Sequence, residues 1–249
     1  MSPKFKHQIL ELRILLRSIP FPIVTMFAVS VIMMNLLANK SISLPMDWLA
    51  LDCGIIVSWV SFLSMDIITK HFGPKAATEV SVVAVAVNLL CCGFFWLGGV
   101  IPGMWGESFV DGSEAVINQA LDNTISGTWY VLFGSTVAFI VSAVINNSLN
   151  YGIGRLFHLN PDGFAMYALR TYISTALGQF CDNLVFALIV SHFFFGWTLL
   201  QCVTCSLTGM AAELLCEVIF SPIGFRICKK WSADGVGREY FALKGEGIR

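Results

Sequence analysis

Long apolar blocks separated by short polar segments dominate the chain. Each of six blocks is long enough to cross a hydrocarbon core about 30 Å thick, which takes about 20 mostly apolar residues in a helix. The pattern predicts an all-α membrane protein with six transmembrane helices in one integral membrane domain, 1–249. The predicted spans are about 19–38, 49–69, 79–101, 128–150, 168–191 and 197–222.

The polar segments between the blocks carry their own signals. The longest, 102–127, is rich in Gly, Asp and Asn and predicts a short surface helix over 111–123. Asp111 would cap this helix, with Glu114 three residues later in a variant of the capping box. The short stretch His192–Gly196 predicts a tight turn between the last two spans.

The composition supports a membrane protein. Hydrophobic residues make up 56% of the chain and charged residues 12%, about half the fraction usual in soluble domains. The net charge of −1 gives no basic surplus, so no nucleic-acid partner is predicted. Cys202 and Cys205 have C-x-x-C spacing without a second pair, and the eight cysteines are interpreted as small hydrophobes, with no metal and no cofactor predicted.

The two chain ends are polar and basic. Four basic residues precede the first block, and no cleavage site follows that block, so the sequence predicts an uncleaved first helix. The tail after Trp231 is short and predicts no second domain. With the N-terminus in the cytoplasm, six spans place every lysine and arginine except Lys40 in cytoplasmic segments. Because this bias marks the cytoplasmic side, we expect a plasma-membrane, multi-pass protein with both termini cytoplasmic.

Several polar side chains interrupt the predicted spans. Gln179, Asp182 and Asn183 are spaced i, i+3 and i+4, so they share one helix face. Glu213 and Glu217 are four residues apart and also share a face. A rise of ~1.5 Å per residue places Asp182 about 18 Å from Arg170, which therefore cannot neutralise it. Ionisable groups at such depth cost at least ~2.5–3.5 kcal/mol on insertion scales and mark candidate functional sites.

Structural roles remain open for many of these groups. Asp66 could form an interfacial ion pair with Lys70, and Asp52 could lie at the solvated outer end of a span. Glu79 suits a helix N-terminus. Packing alone is the alternative for Asp182, Glu213 and Glu217, and interhelical hydrogen bonding is the alternative for Asn88, Asn146, Asn147 and Asn150.

Carboxylates and amides at mid-membrane favour a small ligand that carries several N–H donors. A carboxylate accepts two neighbouring N–H groups, the arrangement on the N1–H and exocyclic amine of a guanine-like ring. An amide can pair with the carbonyl and nitrogens of that ring. Aromatic side chains that could stack on its faces are Trp59, Phe62, Phe180 and Phe186.

Three segments resemble the VUT family, the YhhQ-like queuosine precursor transporters. "DIITKHFGPKAA" (Asp66–Ala77) resembles the acid-containing signature of its second span. "LRTYISTALGQFCDNLVF" (Leu169–Phe186) resembles its arginine, serine and Gln-x-x-Asp signature. "ELLCEVIFSPIGF" (Glu213–Phe225) resembles its closing glutamate, apolar run and proline. The three segments follow the family's order over most of the membrane domain.

The resemblance implies a six-helix carrier similar in shape to the substrate-binding subunits of energy-coupling-factor vitamin transporters. It also implies uptake of 7-cyano-7-deazaguanine, 7-aminomethyl-7-deazaguanine or queuine. Asn183 stands where serine is frequent in the family, and Glu213 stands where many members have lysine. The residues that match motif positions are Asp66, Arg170, Gln179, Asp182, Asn183 and Glu217, and with Glu213, Asn88 and Trp59 they form the candidate substrate-binding set.

Three functions compete. The first is a secondary transporter, with Asp182, Glu213 or Glu217 as the proton carrier if transport is coupled to protons. The chain has no P-loop, so it does not hydrolyse nucleotide itself. The second is a substrate-binding subunit that needs a separate ATPase module, and the first span lacks the A-x-x-x-A pattern by which such subunits dock, which favours the first function. The third, an intramembrane enzyme, has only Ser135 and His192 as a remote serine-type pair, and no enzyme activity is predicted. The coupling ion and any homo-oligomer are left open.

Overall fold

The computed structural model describes residues 3–42, 44–106, 110–125, 129–156 and 164–245. The described residues contain helices and one isolated bridge between Ser41 and Asp52, without a strand. The helices are α1 (Pro3–Ser18), α2 (Phe21–Leu37), α3 (Ile55–Phe72), α4 (Pro74–Val100), α5 (Glu114–Ile125), α6 (Trp129–Leu156), α7 (Phe164–Phe186), α8 (Phe193–Phe195), α9 (Leu199–Asp234) and α10 (Arg238–Lys244).

Five long apolar segments have the length and composition of membrane spans. They are α3, α4, α6, α7 with its continuation to Phe195, and α9. A sixth is reached when α2 is counted together with α1, from which it is bent by 103°. The all-α membrane fold predicted from the apolar blocks is confirmed.

Proline and glycine set several helix boundaries. Pro20 precedes α2, and Pro22 lies in its first turn, where no backbone N–H is needed. Gly73 joins α3 to α4 at φ +92°, a conformation that favours glycine, and Pro74 then starts α4. Helix α9 begins with a capping box in which Thr198 and Gln201 satisfy each other's backbone N–H groups.

The bundle has apolar residues on its surface, and its interior combines an apolar core with buried polar residues. Phe94, Leu90, Phe133 and Ile219 are all more than half exposed on the helix surfaces. Residues with buried side chains include Ser58, Asp66, Asn146, Gln179, Glu213 and Glu217. A protein surrounded by lipid can leave its apolar side chains outside and satisfy polar groups within the bundle.

The two ends of the bundle differ in structure. The loop side carries residues 38–54 and the turn around Gly196, where Gln201 donates to the carbonyl of Asp47. The tail side carries α1 and α10, which contact each other. There Tyr240 and Phe241 of α10 are fully buried beside Phe72 at the end of α3. Both chain ends therefore meet on one side of the bundle.

Several predicted boundaries are wrong. Helix α5 begins at Glu114, because 111–113 form a turn, so Asp111 is not its cap. The stretch His192–Gly196 is not a single tight turn, since a π-helical segment Ala187–His192 and α8 keep the chain helical to Phe195. Beyond Trp231 the tail is not only polar, because α10 buries two aromatic side chains.

Candidate functional site

Polar side chains from α3, α7 and α9 meet in a seam through the bundle. The polar side chains nearest the loop side are those of Ser58, Asn183 and Glu213, and we call these three residues the upper layer. The Ser58 hydroxyl donates to Glu213 Oε1, and Asn183 Nδ2 donates to Glu213 Oε2 over 3.4 Å. Glu213 thus has one hydrogen bond on each carboxylate oxygen, from two different helices.

Asp182 of α7 lies next to the upper layer. Its Oδ1 accepts a hydrogen bond of 2.7 Å from the Ser142 hydroxyl of α6. The described basic residues form no ion pair with Asp182 or Glu213. The sequence prediction that Arg170 cannot serve as the counter-charge within the same helix rests on helix length, and the Arg170 side chain lies outside the described residues.

Asp182 and Glu213 face a common chamber. The enclosed volume of this chamber is about 40 Å³, room for a few water molecules, so the chamber must widen before a ring-sized ligand can enter. Its described lining holds no lysine, arginine or histidine. Polar residues lining the chamber are Asn35, Asp52, Ser58, Ser135, Asp182, Asn183 and Glu213.

Gln179 and Glu217 form a middle layer below the chamber. Gln179 lies four residues before Asn183 on α7, and Glu217 lies four residues after Glu213 on α9, so each is one turn closer to the tail side. Both side chains are completely buried. Neither the Gln179 amide nor the Glu217 carboxylate has a hydrogen-bond partner among the described residues.

A lower layer surrounds Asp66. Thr175 of α7 donates to Asp66 Oδ2 over 3.0 Å, and Asn146 of α6 donates to Oδ1 over 3.4 Å. Asp66 is fully buried, so it is held inside the bundle rather than at a solvated boundary. The interhelical role considered for Asn146 is confirmed by this bond.

Two further predicted site residues lie away from the seam. Asn88 is buried on α4, where Cys92 of the same helix contacts its side-chain oxygen. The Trp59 ring stacks on Phe220 at 4.4 Å, and its indole N–H donates to the carbonyl of Ile56. Neither residue is part of the described chamber lining.

The serine-type pair considered for an enzyme has other partners. Ser135 donates to Asn35, and Nδ1 of His192 lies 2.6 Å from the carbonyl oxygen of Trp197. In the described part of the chain, no group of three or more His, Cys, Asp or Glu side chains could hold a metal ion.

Some chamber residues were not in the predicted set. Ser58 lies eight residues before Asp66, a spacing that places both on one face of α3, and this periodicity could have identified it. Asp52, considered for a solvated helix end, lines the chamber, and its Oδ1 accepts from the Gly54 amide. Asn35 of α2 gives no comparable signal, because it is the lone amide of an apolar helix.

Comparison with known proteins gives one match. A family model described as "putative vitamin uptake transporter" matches residues 52–227, which contain all three polar layers. No curated protein and no solved structure matches the chain. The expected likeness in shape to energy-coupling-factor subunits therefore stays a prediction.

Proposed function

The chain belongs to the family described as putative vitamin uptake transporters, and on that premise we propose that it is a secondary transporter importing a queuosine precursor. The substrate class is 7-cyano-7-deazaguanine, 7-aminomethyl-7-deazaguanine or queuine. The substrate binds at the chamber between α3, α7 and α9, whose present volume of about 40 Å³ means that the helices separate as the ring enters. Its route leads from the loop side, outside the cell, to the tail side in the cytoplasm.

One observation carries this proposal: three carboxylates, the buried Glu213 and the half-buried Asp52 and Asp182, line one chamber whose described lining has no positive charge. Such a lining disfavours phosphates and other anions, and it suits a ligand that brings its own N–H donors. A 7-deazaguanine ring presents N1–H and an exocyclic amine side by side. Asp182 has one oxygen bonded to Ser142, and its other oxygen has no described partner to displace.

The upper layer supplies the remaining contacts of the ring. Asn183 and Ser58 satisfy Glu213 in the substrate-free protein, and a bound ring replaces those contacts with its own donors. Freed from Glu213, the Asn183 amide can donate to the ring carbonyl. Phe186, which lines the chamber, offers an aromatic face for stacking.

Transport by the purified chain tests the proposal. Proteoliposomes that contain only this protein and no ATP should take up at least one labelled 7-deazaguanine precursor and exclude nucleotides. Expression in cells that require the precursor and lack uptake should restore queuosine in tRNA. Uptake that appears only after an ATPase module is added would support the alternative, a substrate-binding subunit of an ATP-driven importer.

Asp182→Asn tests the site. We expect at least tenfold weaker binding, roughly 1.4 kcal/mol, because the amide loses one of two adjacent acceptors. Asp111→Asn, an exposed position in the turn before α5, is the matched control and should bind as the unmodified protein does. Calorimetric titration of both proteins gives the comparison. Near-normal binding by a folded Asp182→Asn protein would mean that the carboxylate serves packing.

A further inference from the structure

The middle layer, Gln179 and Glu217, contains buried polar atoms whose hydrogen bonds are unsatisfied among the described residues. The amide of Gln179 and the carboxylate of Glu217 are fully buried, and none of their four polar atoms has a described hydrogen-bond partner. A buried polar atom that leaves water without gaining a partner destabilises the folded protein. Because native proteins keep few atoms of this kind, a pair on facing helices calls for a functional reason.

Helix register places both side chains in the seam. On α7, Thr175 bonds to Asp66 and Asn183 bonds to Glu213, and Gln179 lies four residues from each. On α9, Glu213 faces α3 and α7, and Ser221 contacts the Tyr172 hydroxyl of α7 over 2.8 Å. Residues four apart share a helix face, so Glu217 between Glu213 and Ser221 faces the same seam.

The surroundings of Glu217 carry negative and neutral groups. Asp66 of α3 is near enough to interact electrostatically with it. On its own helix the titratable neighbours are Glu213 and Cys216, and α7 contributes Asp182 and Cys181 towards the chamber. Glu217 forms no ion pair with a described basic residue. An ionised Glu217 would be a second negative charge beside Asp66.

We propose that Glu217 carries the proton that moves with the substrate, as a site separate from the chamber and one helical turn deeper. A proton removes the cost of an enclosed charge and needs no shell of ligands. This proposal rests on the proposed transport function, which it refines by separating the proton site from the substrate site.

Gln179 is the positioning residue in this arrangement. Its amide has both an acceptor oxygen and a donor nitrogen. The oxygen can accept from protonated Glu217, and the NH₂ group can donate to the ionised form. In the transport cycle Glu217 takes a proton from the loop side and releases it on the tail side. The neutral Gln179 side chain can form a hydrogen bond with Glu217 in both protonation states.

Glu217→Gln fixes this position in a neutral form and separates binding from coupling. Glu217 was in the predicted binding set but is not in the described chamber lining, which keeps Asp182 and Glu213, so we expect substrate affinity within about twofold of the unmodified protein. Exchange of labelled for unlabelled substrate across the membrane should persist. Accumulation driven by a pH gradient should be lost, together with the acidification of the vesicle lumen that accompanies uptake.

Two variants complete the test. Glu114→Gln, exposed on α5, is the matched control and should accumulate substrate normally. Gln179→Leu should shift the pH at which transport is half-maximal, which a purely structural role would not do. If Glu217→Gln does not fold, infrared difference spectra of the unmodified protein and of Glu217→Asp should show a buried carboxyl group that changes protonation on substrate binding.

The outcomes separate the two proposals. If the unmodified protein binds no 7-deazaguanine precursor, the proposed function fails. If it binds and accumulates substrate without moving protons, or if Glu217→Gln accumulates substrate as well as the control does, the proton site fails while the function stands. An infrared spectrum without a protonation change at residue 217 would also overturn the proton site.

Discussion

At the scale of single residues, Asn183 depends on a glycine for its position. A Cβ atom added to Gly209 of α9 would lie 2.5 Å from Asn183 Nδ2, closer than such atoms come in proteins. The absence of a side chain at Gly209 therefore lets Asn183 reach Glu213. Both residues line the chamber, so this contact sets the distance between α7 and α9 at the substrate site.

Gly209→Ala should weaken substrate binding while leaving the fold intact. The added methyl group displaces the end of a short polar side chain rather than backbone, so the Asn183 amide is moved away from the place where it would donate to the ring carbonyl. We expect roughly three- to tenfold weaker binding, about 1 kcal/mol, measured by titration. Gly93→Ala on α4, where an added Cβ meets no atom within 4 Å, is the control. Equal affinities for both variants would contradict this role.

Periodicity predicted the residues that face the seam, but not their partners. The spacing of Gln179, Asp182 and Asn183 on one helix indicated a polar face, and all three are at the seam or chamber. Ser142, which bonds to Asp182, lies forty residues away on α6, and a sequence alone does not give that pairing. Trp59 has a polar tip like other candidates, yet packing directs its ring to Phe220.

At the scale of elements, α10 is short but well anchored. It has seven residues, and its Phe241 ring lies parallel to that of Phe72 with centroids 5.7 Å apart. His71 at the end of α3 contacts the carbonyl oxygen of Val236, just before α10, at 3.0 Å. Gly235 ends α9 at φ +66°, which lets the chain reverse towards α3.

Phe241→Ala should destabilise the protein by about 3–5 kcal/mol, because it removes a fully buried ring from a packed cluster. Thermal unfolding in detergent, followed by light scattering or intrinsic fluorescence, gives the comparison. Glu239→Ala on the exposed face of the same helix should unfold near the temperature of the unmodified protein. Equal unfolding temperatures for the two variants would mean that α10 is not anchored by its aromatic side chains.

Hydropathy predicted the long helices but not α1 and α10, and the short helix α5 was predicted by its capping pattern, with a start three residues too early. A membrane span is easy to predict from sequence, because a run of about 20 apolar residues is uncommon in other kinds of structure. Helices α1 and α10 mix charged and apolar residues, and their positions depend on contacts with α4 and α3. Hydropathy also does not predict the π-helical segment Ala187–His192, because the same apolar residues would fit an α-helix.

At the scale of the whole molecule, a cluster of charges holds the chain ends to the bundle. Glu11 of α1 accepts from Lys75 of α4 over 2.7 Å, and Lys244 of α10 lies 3.4 Å away. Burial opposes ionisation of Glu11, but its bonds to Lys75 and Lys244 outweigh this and hold the pKa of the carboxyl below its usual 4.5. The first helix and the last are thus joined through one carboxylate.

The contribution of Glu11 to stability should depend on pH. Because its pKa is lowered on folding, the ionised group stabilises the folded state above pH 4.5, and this contribution is lost as the pH falls through the lower folded value. Unfolding temperatures of the unmodified protein and Glu11→Gln should therefore differ near neutral pH and converge in acid. A difference that stays constant below pH 4.5 would contradict the ion-pair role.

The burial of Tyr240 and Phe241 against α3 also has a consequence for biosynthesis. A ribosome adds about 5–20 residues per second, so the stretch between Phe72 and Phe241 takes roughly ten to thirty seconds to make. Throughout that time the Phe72 side chain lacks the aromatic side chains of α10 that pack against it in the folded protein. A nascent chain that stops short of α10 leaves the Phe72 ring without its contacts to Tyr240 and Phe241.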